Sequence, residues 1–303
     1  MKNAIKVICF VLVVLIAGIG GGYVYFTWDV GEYVTIEGSK AGTVIITDYI
    51  AEEKEVVIPD RLRGKKVISI DDNAFKGKDI TSVVLNDHIA SIGVNAFQDC
   101  KNLVKVDMGS AVLSVGNGAF SNCSELIDVK LSPTLEKLGH VVFGNNKKLT
   151  TIDLNGNPNF KFVDGVLYSS DMTTIYETLV SADLTDYECP ESVVNLNGYA
   201  FYSQNEITSV KLNNGLKTIN EGTFIDCKSL KEITLPDSVV SIGTVILSGS
   251  GVETIKIPAS VQKIDNSAFY NVEKQITIIT TKGSYAAKFA EKNDLKYEIV
   301  DSL

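Results

Sequence analysis

Two histidines, five cysteines and one pair of adjacent aspartates are the groups in this 303-residue chain with chemistry to offer near neutral pH. His88 and His140 are the only imidazoles, and they stand at unlike places in their local sequence. That predicts two separate surface residues rather than an acid–base pair. Asp71 and Asp72 could face a cation, but no EF-hand or nonapeptide spacing surrounds them, so a turn is the expected role. Cys100, Cys123 and Cys227 each lie three residues after a phenylalanine, and Cys189 takes an apolar strand position. A recurring slot predicts buried thiols that act as small apolar fillers. A Cys100–Cys123 disulfide is the alternative in an oxidising compartment. The chain has no Cys-x-x-Cys, Gly-x-Ser-x-Gly, His-Glu-x-x-His, phosphate loop or dinucleotide fingerprint. No catalytic residue, no metal site and no cofactor is therefore expected, and the chain is not read as an enzyme.

The elements that hold these groups repeat. Phe75, Phe97, Phe120 and Phe143 follow one another at 22, 23 and 23 residues, and Phe201, Phe224, Leu247 and Phe269 at 23, 23 and 22. A period of this length means one small unit stacked on copies of itself, because one copy cannot bury its apolar face alone. In one copy the apolar residues are Leu103, Val106, Met108, Val112, Val115, Ala119 and Phe120. The Leu-x-x-Val-x-Met part alternates in sidedness, which predicts a short strand. Copies would then stack as parallel strands ~4.8 Å apart. Pro59, Pro133, Pro190, Pro236 and Pro258 end strands, where no ladder donor is needed. Ile92-Gly93, Val115-Gly116, Leu138-Gly139 and Ile242-Gly243 form corners, where glycine is expected to allow a tight or left-handed bend. The Ala-Phe pairs that follow predict a spine of phenylalanine inside the coil.

The residue between two inward strand positions faces out. Down the stack it is Val84, Asp107, Lys130, Asp153, Glu188, Lys211, Thr234, Lys256 and Thr277. This is the one surface where side chains from many copies line up. Asp107, Lys130, Asp153, Lys211, Thr234 and Lys256 are therefore the candidate binding face for a polar partner. The row has no aromatic ladder, which argues against a groove for stacked sugars. The formal charge of −9 and the pI of about 4.9 argue against nucleic acid as a partner, since phosphate needs a basic face.

Leu-x-x-Val-x-Leu at this period matches the general leucine-rich repeat pattern, and the stretches SIGVNAFQDCKNLVKV and SIGTVILSGSGVETIKIP resemble the BspA-like, treponemal-type leucine-rich repeats. GTVIITDYIAEEKEVVIPDRLRGKKVISIDDNAF looks like the opening module of such proteins, and TKGSYAAKFAEKNDLKYEIV like their terminal cap. The resemblance spans about residues 33–300. It implies a β-rich leucine-rich repeat solenoid of about nine rungs. It also implies varied binding tasks on bacterial surfaces. The Asn ladder of the commonest leucine-rich repeats is missing.

The N-terminus bears on location. After Lys2 and Lys6, residues 7–28 are uncharged and mostly apolar, long enough to cross a bilayer as a helix. Tyr23, Tyr25, Phe26 and Trp28 cluster at its far end, and the lysines precede it, which places the repeats outside the cell. A single-pass anchor is thus expected. A signal peptide cleaved near Gly20 or Gly22 is the alternative, leaving a secreted protein. Gly18 and Gly22 form a GxxxG that could pair two such helices, so the oligomeric state stays open.

The expected order is residues 1–27 as a transmembrane signal-anchor, 28–66 as an N-terminal β module and 67–160 as leucine-rich repeats. An inserted β-hairpin at 161–186 turns around Ser169–Met172, repeats resume over 187–282, and 283–303 form a strand-helix-strand cap. The insertion is either a stabilising flap or an alternative binding hairpin presenting Tyr168 and Tyr176. In the cap, Ser284 starts a helix whose Tyr285, Ala286, Phe289 and Ala290 share a face. The leading functional reading is a membrane-anchored extracellular protein that binds an unknown protein or surface macromolecule, adhesion included. A cell-envelope spacer without a specific ligand is the second reading, and an envelope hydrolase a remote third.

Overall fold

The computed structural model describes residues 28–29, 32–182 and 184–303. They form two compact units, the first ending at residue 142 and taking back 152–157, the second made of 143–151 and 158–303.

In the first unit each coil gives one strand to each of two parallel sheets. Glu55–Val57, Ser82–Val84, Lys105–Asp107 and Asp128–Lys130 pair in register, with Val56, Val83, Val106 and Val129 side by side and buried. Asp153 extends this sheet through a bridge to Lys130. The second sheet holds Ile70, Ile92, Val115 and Leu138 in one inward column. Antiparallel strands, Trp28–Asp29 with Tyr33–Glu37 and Tyr33–Glu37 with Thr43–Tyr49, begin it, and Thr43–Tyr49 then runs parallel to Lys65–Ile70. The N-terminal module is therefore a continuation of the coil.

The third side of the coil carries the aromatic spine. Ring centroids are 5.1 Å apart for Tyr49–Phe75, 4.7 Å for Phe75–Phe97 and 5.0 Å for Phe97–Phe120, all stacked. The backbone enforces this spacing, because the amides of Phe75 and Phe97 donate to the carbonyls of Ala96 and Ala119, one coil on, each at 2.7 Å.

The corner glycines work differently from the expectation. Gly93, Gly116 and Gly139 are not left-handed. A Cβ on Gly116 would lie 2.6 Å from Val94 N and 2.7 Å from Gly93 C, so the slot is glycine because successive backbones nearly touch. The left-handed bends come two and six residues later, mostly at Gly, Asn or Asp: Asn73, Asn95 and Gly118, then Gly77, Asp99 and Asn122. Asp72 ties two corners together, its Oδ1 accepting from Val94 N, one coil on, at 2.6 Å.

In the second unit the insertion contains the expected hairpin around Ser169–Met172, and a further strand before it makes a three-stranded meander. Phe160–Val163, Val166–Ser169 and Thr174–Thr178 are antiparallel, and Thr174–Thr178 then pairs parallel with Asn195–Leu196. The unexpected first turn is Asp164-Gly165, both left-handed (φ 48° and 78°), a common signal for a two-residue hairpin loop. Val166, Tyr168 and Ile175 share one core with Phe201 and Phe224, so the insertion supplies coil rather than a flap. It also breaks the ladder of the spine. Phe143 N donates to both carboxylate oxygens of buried Glu177, at 3.0 and 3.2 Å, where Phe75, Phe97, Phe120, Phe201 and Phe224 find a carbonyl.

Coils then resume. Asp186–Glu188 pairs with Ser209–Lys211, and Glu232–Thr234 with Thr254–Lys256, Thr277–Thr281 and Lys296–Val300 in turn. The helix Tyr285–Lys292 crosses between the last two strands, and Ser284 Oγ accepts from Ala287 N at 3.0 Å as its N-cap. Its buried face is Ala286, Ala287, Phe289 and Ala290; Tyr285, expected there, is 42% exposed. Phe289 meets Phe269 edge-on at 6.1 Å and closes the end of the spine. Counted over both units the coil makes about 11 turns rather than nine, since the N-terminal module and the insertion both contribute. Among the described residues no helix is long and apolar enough to cross a membrane. The expected anchor over 7–28 lies outside them, except for Trp28, which sits in a strand paired with Thr35.

Candidate binding surface

The outward column of the first unit runs Val57, Val84, Asp107, Lys130 and Asp153 in strict register. Asp107 and Lys130 are brought together, Nζ to Oδ2 at 3.3 Å. The carboxylates also hold backbone: Asp107 Oδ1 accepts from Gly109 N at 2.9 Å, and Asp153 Oδ1 from Asn155 N at 2.8 Å. Both are turns in which an aspartate fixes the chain leaving the strand. Two residues earlier on the same strands, Lys105 Nζ lies 2.8 Å from Asp128 Oδ2, and that hydrogen bond holds the lysine above its ordinary pKa.

The second unit repeats the arrangement. Lys211 is 2.5 Å from Glu188, whose hydrogen bond raises the lysine pKa, and Lys256 is 2.5 Å from Glu232. Thr234 is exposed and sits between them in the column. Lys211 and Glu188 also border a polar hollow of about 360 Å³ with Glu191 and Asn213. The column does not end on Thr277 as expected. Thr277 pairs with Thr254, and Ile279 follows Lys256. Glu188, in the outward row but not in the candidate set, and Glu232, in neither, carry half of these pairs. The signal for them is opposite charge one period apart: Asp107/Lys130, Lys105/Asp128 and Glu188/Lys211 are all 23 residues apart.

The insertion does not present both tyrosines of the alternative site at the surface. Tyr168 is 4% exposed, its hydroxyl is 2.9 Å from that of Tyr187, and burial raises its pKa. Tyr176 is half-buried with its ring edge-on to Phe160. The β-sheet face that carries Tyr168 points into the core, as the alternation of the strand dictates once Val166 is inside.

The cysteines and histidines have structural roles. Cys100, Cys123, Cys189 and Cys227 are buried free thiols. Three of them donate to the carbonyl of the phenylalanine one coil back: Cys100 to Phe75 at 3.0 Å, Cys123 to Phe97 at 3.2 Å and Cys227 to Phe201 at 3.1 Å. Burial pushes Cys100 and Cys227 up to about 12. His88 and His140 are half-buried corner residues, their amides donating to Asn86 and Asn117 at 2.7 and 2.9 Å. Among the described residues no three of His, Cys, Asp and Glu gather as a metal site would require.

Short stacked parallel strands, an apolar spine and outward polar columns at a period near 23 define a leucine-rich repeat solenoid. The profile of the BspA type leucine rich repeat region matches residues 68–182 and 166–277, in six copies, and the chain belongs to that family. No curated protein matches it. Among solved structures it is similar to the pneumococcal vaccine antigen PcpA, with 21% identity and a TM-score of 0.60 over 80% of this chain and 73% of that one. It is also similar to a leucine-rich repeat protein from Bacteroides ovatus, with 20% identity and a TM-score of 0.48 over 89% and 66%. A third is a leucine rich cell surface protein from Faecalibacterium prausnitzii, with 20% identity and a TM-score of 0.45 over 89% and 97%.

Proposed function

We propose that the chain is a membrane-anchored extracellular protein that binds another macromolecule through the outward strand columns, with adhesion as one use. The observation that carries this reading is the pair of columns themselves, Asp107–Lys130–Asp153 and Lys211–Thr234–Lys256, which present polar side chains that the core does not need. The apolar stretch 7–28 and the general surface location of the family support the placement outside the cell. Exposed ion pairs contribute about 0–1 kcal/mol each, so exchanging them for pairs with a partner costs little stability.

One observation favours a spacer instead: Lys130, Lys211 and Lys256 each already have an acid beside them. Capture by the full-length chain in detergent separates the two readings. A binder retains one partner saturably, and Lys130→Glu with Lys211→Glu weakens that capture while leaving the melting temperature unchanged. A spacer retains none. The placement is tested separately: protease added to intact cells should remove the repeats, and a mature N-terminus at Gly21 or Tyr23 would show a cleaved signal instead of an anchor.

A further inference from the structure

One hollow on the second unit departs from the neutralised columns. It is an open depression of about 500 Å³ bordered by Lys231, Lys274, Lys296, Glu253, Thr254 and Thr277. Thr254, Thr277 and Lys296 stand opposite one another on three neighbouring parallel strands, so two hydroxyls and an ammonium follow at steps of ~4.8 Å. Lys231 comes from the coil before, its carbonyl taking the amide of Glu253 at 2.9 Å. Lys274 comes from the turn that enters the next strand. Gln275 fastens that turn, its Nε2 donating to Ser250 O at 3.1 Å and Val252 O at 2.9 Å. The hollow also takes in Gly251, where a Cβ would collide with Lys228 O.

The charges here do not cancel. Glu253 is the only acid on the border, and it holds Lys231 at 3.3 Å. Lys274 and Lys296 form no ion pair among the described residues, in a chain of net charge −9. Two uncommitted ammonium groups beside a pair of hydroxyls, in a polar recess, suit an oxyanion that carries its own hydroxyl-rich body. Lysine meets such a group as a point charge, and charge-assisted hydrogen bonds are about twice as strong as neutral ones.

We propose that this hollow binds the sulfate or phosphate ester group of a saccharide, with Lys274 and Lys296 on the anion, and Thr254 and Thr277 on its oxygens or the adjoining sugar hydroxyls. The site lies on the same sheet face as Lys256, in the neighbouring row Glu232–Thr254–Thr277–Lys296, whose Glu232 is taken by Lys256, and it does not depend on where the chain resides.

The test uses the full-length chain in detergent with three labelled probes of one length: sulfated dextran, phosphorylated dextran and uncharged dextran. Saturable binding of at least one charged probe and none of the uncharged one is expected, and the stronger charged probe identifies the ester. Lys274→Glu with Lys296→Glu should weaken that binding about ten-fold or more. Lys217→Glu with Lys263→Glu carries the same change of net charge on the other sheet and should alter it less than about two-fold. Should the first double variant melt early, Lys274→Gln with Lys296→Gln keeps the side-chain stems and should weaken binding in the same direction. Equal loss in the two charge-reversed pairs would mean diffuse attraction to lysines, and no saturable binding of either charged probe would mean no site. Either result overturns the proposal.

Discussion

The thiol of Cys123 donates to the carbonyl of Phe97, 26 residues earlier and one coil below, at 3.2 Å. Cys100 does the same to Phe75, and Cys227 to Phe201. The slot three residues after Phe97, Phe120 and Phe224 therefore takes up a carbonyl one coil back, and after Phe201 Gln204 fills it by donating to Thr178 O at 2.9 Å.

These thiols should be unreactive while the chain is folded. Burial pushes Cys100 from 9.0 to about 12. A proton held more tightly in the folded state stabilises it fully below the unfolded value, and that contribution declines as pH rises from 9.0 towards 12. Alkylation at pH 8 should leave all four described cysteines unmodified until denaturant is added, and thermal stability should fall above pH 9.

Removal of a spine ring should loosen its own coils first. Phe97 and Phe120 stack at 5.0 Å with planes 5° apart, and both are fully buried. Phe120→Ala should cost about 3–5 kcal/mol. Hydrogen exchange should rise at the neighbouring coils before the cap, because each coil contacts only its neighbours. Unchanged exchange there would contradict the register.

Gly116 should tolerate no side chain. An alanine methyl would meet the backbone of Gly93 and Val94 at 2.6–2.9 Å, and backbone cannot rotate away as a side chain can. Gly116→Ala should lower stability by about 1–3 kcal/mol, and Gly243→Ala, at a corner that is likewise not left-handed but where the nearest backbone atom is 3.0 Å from the added Cβ, should lower it less. Urea denaturation of the two variants gives the comparison.

The buried carboxylate of Glu177 should be replaceable by an acceptor and by nothing else. Glu177→Gln keeps an oxygen for Phe143 N, whereas Glu177→Leu leaves that amide without it. The loss should be about 1–3 kcal/mol larger for leucine, read as the difference between the two unfolding free energies.

Val245 is a β-branched residue held at φ 45°, in a slot that Gly222 fills at φ 60° one coil earlier. Left-handed backbone costs such a residue about 1–2 kcal/mol, and asparagine tolerates it. Val245→Asn should raise the melting temperature. No change would mean that the valine side chain packs well enough to offset its strain.

The coil, its inward residues, the family and the terminal helix were legible in the chain itself. Each rests on order over short distances: alternation within three-residue strands, an Ala-Phe pair every 22 or 23 residues, a serine before an amphipathic turn. What lay between coils was not. The corner glycines look like bends in sequence, and only the stacked backbones reveal that they are glycine for lack of room. Tyr168 reads as an exposed tip until Val166 and Ile175 enter the core beside it and fix its side of the strand. The candidate columns read as free charge, yet their lysines meet acids a period away, and the two uncommitted lysines come from a turn and a final strand that no repeat pattern marks. Stacking sets these outcomes, because a parallel register brings residues 23 apart within a few ångströms, and both clash and ion pairing are decided at that distance.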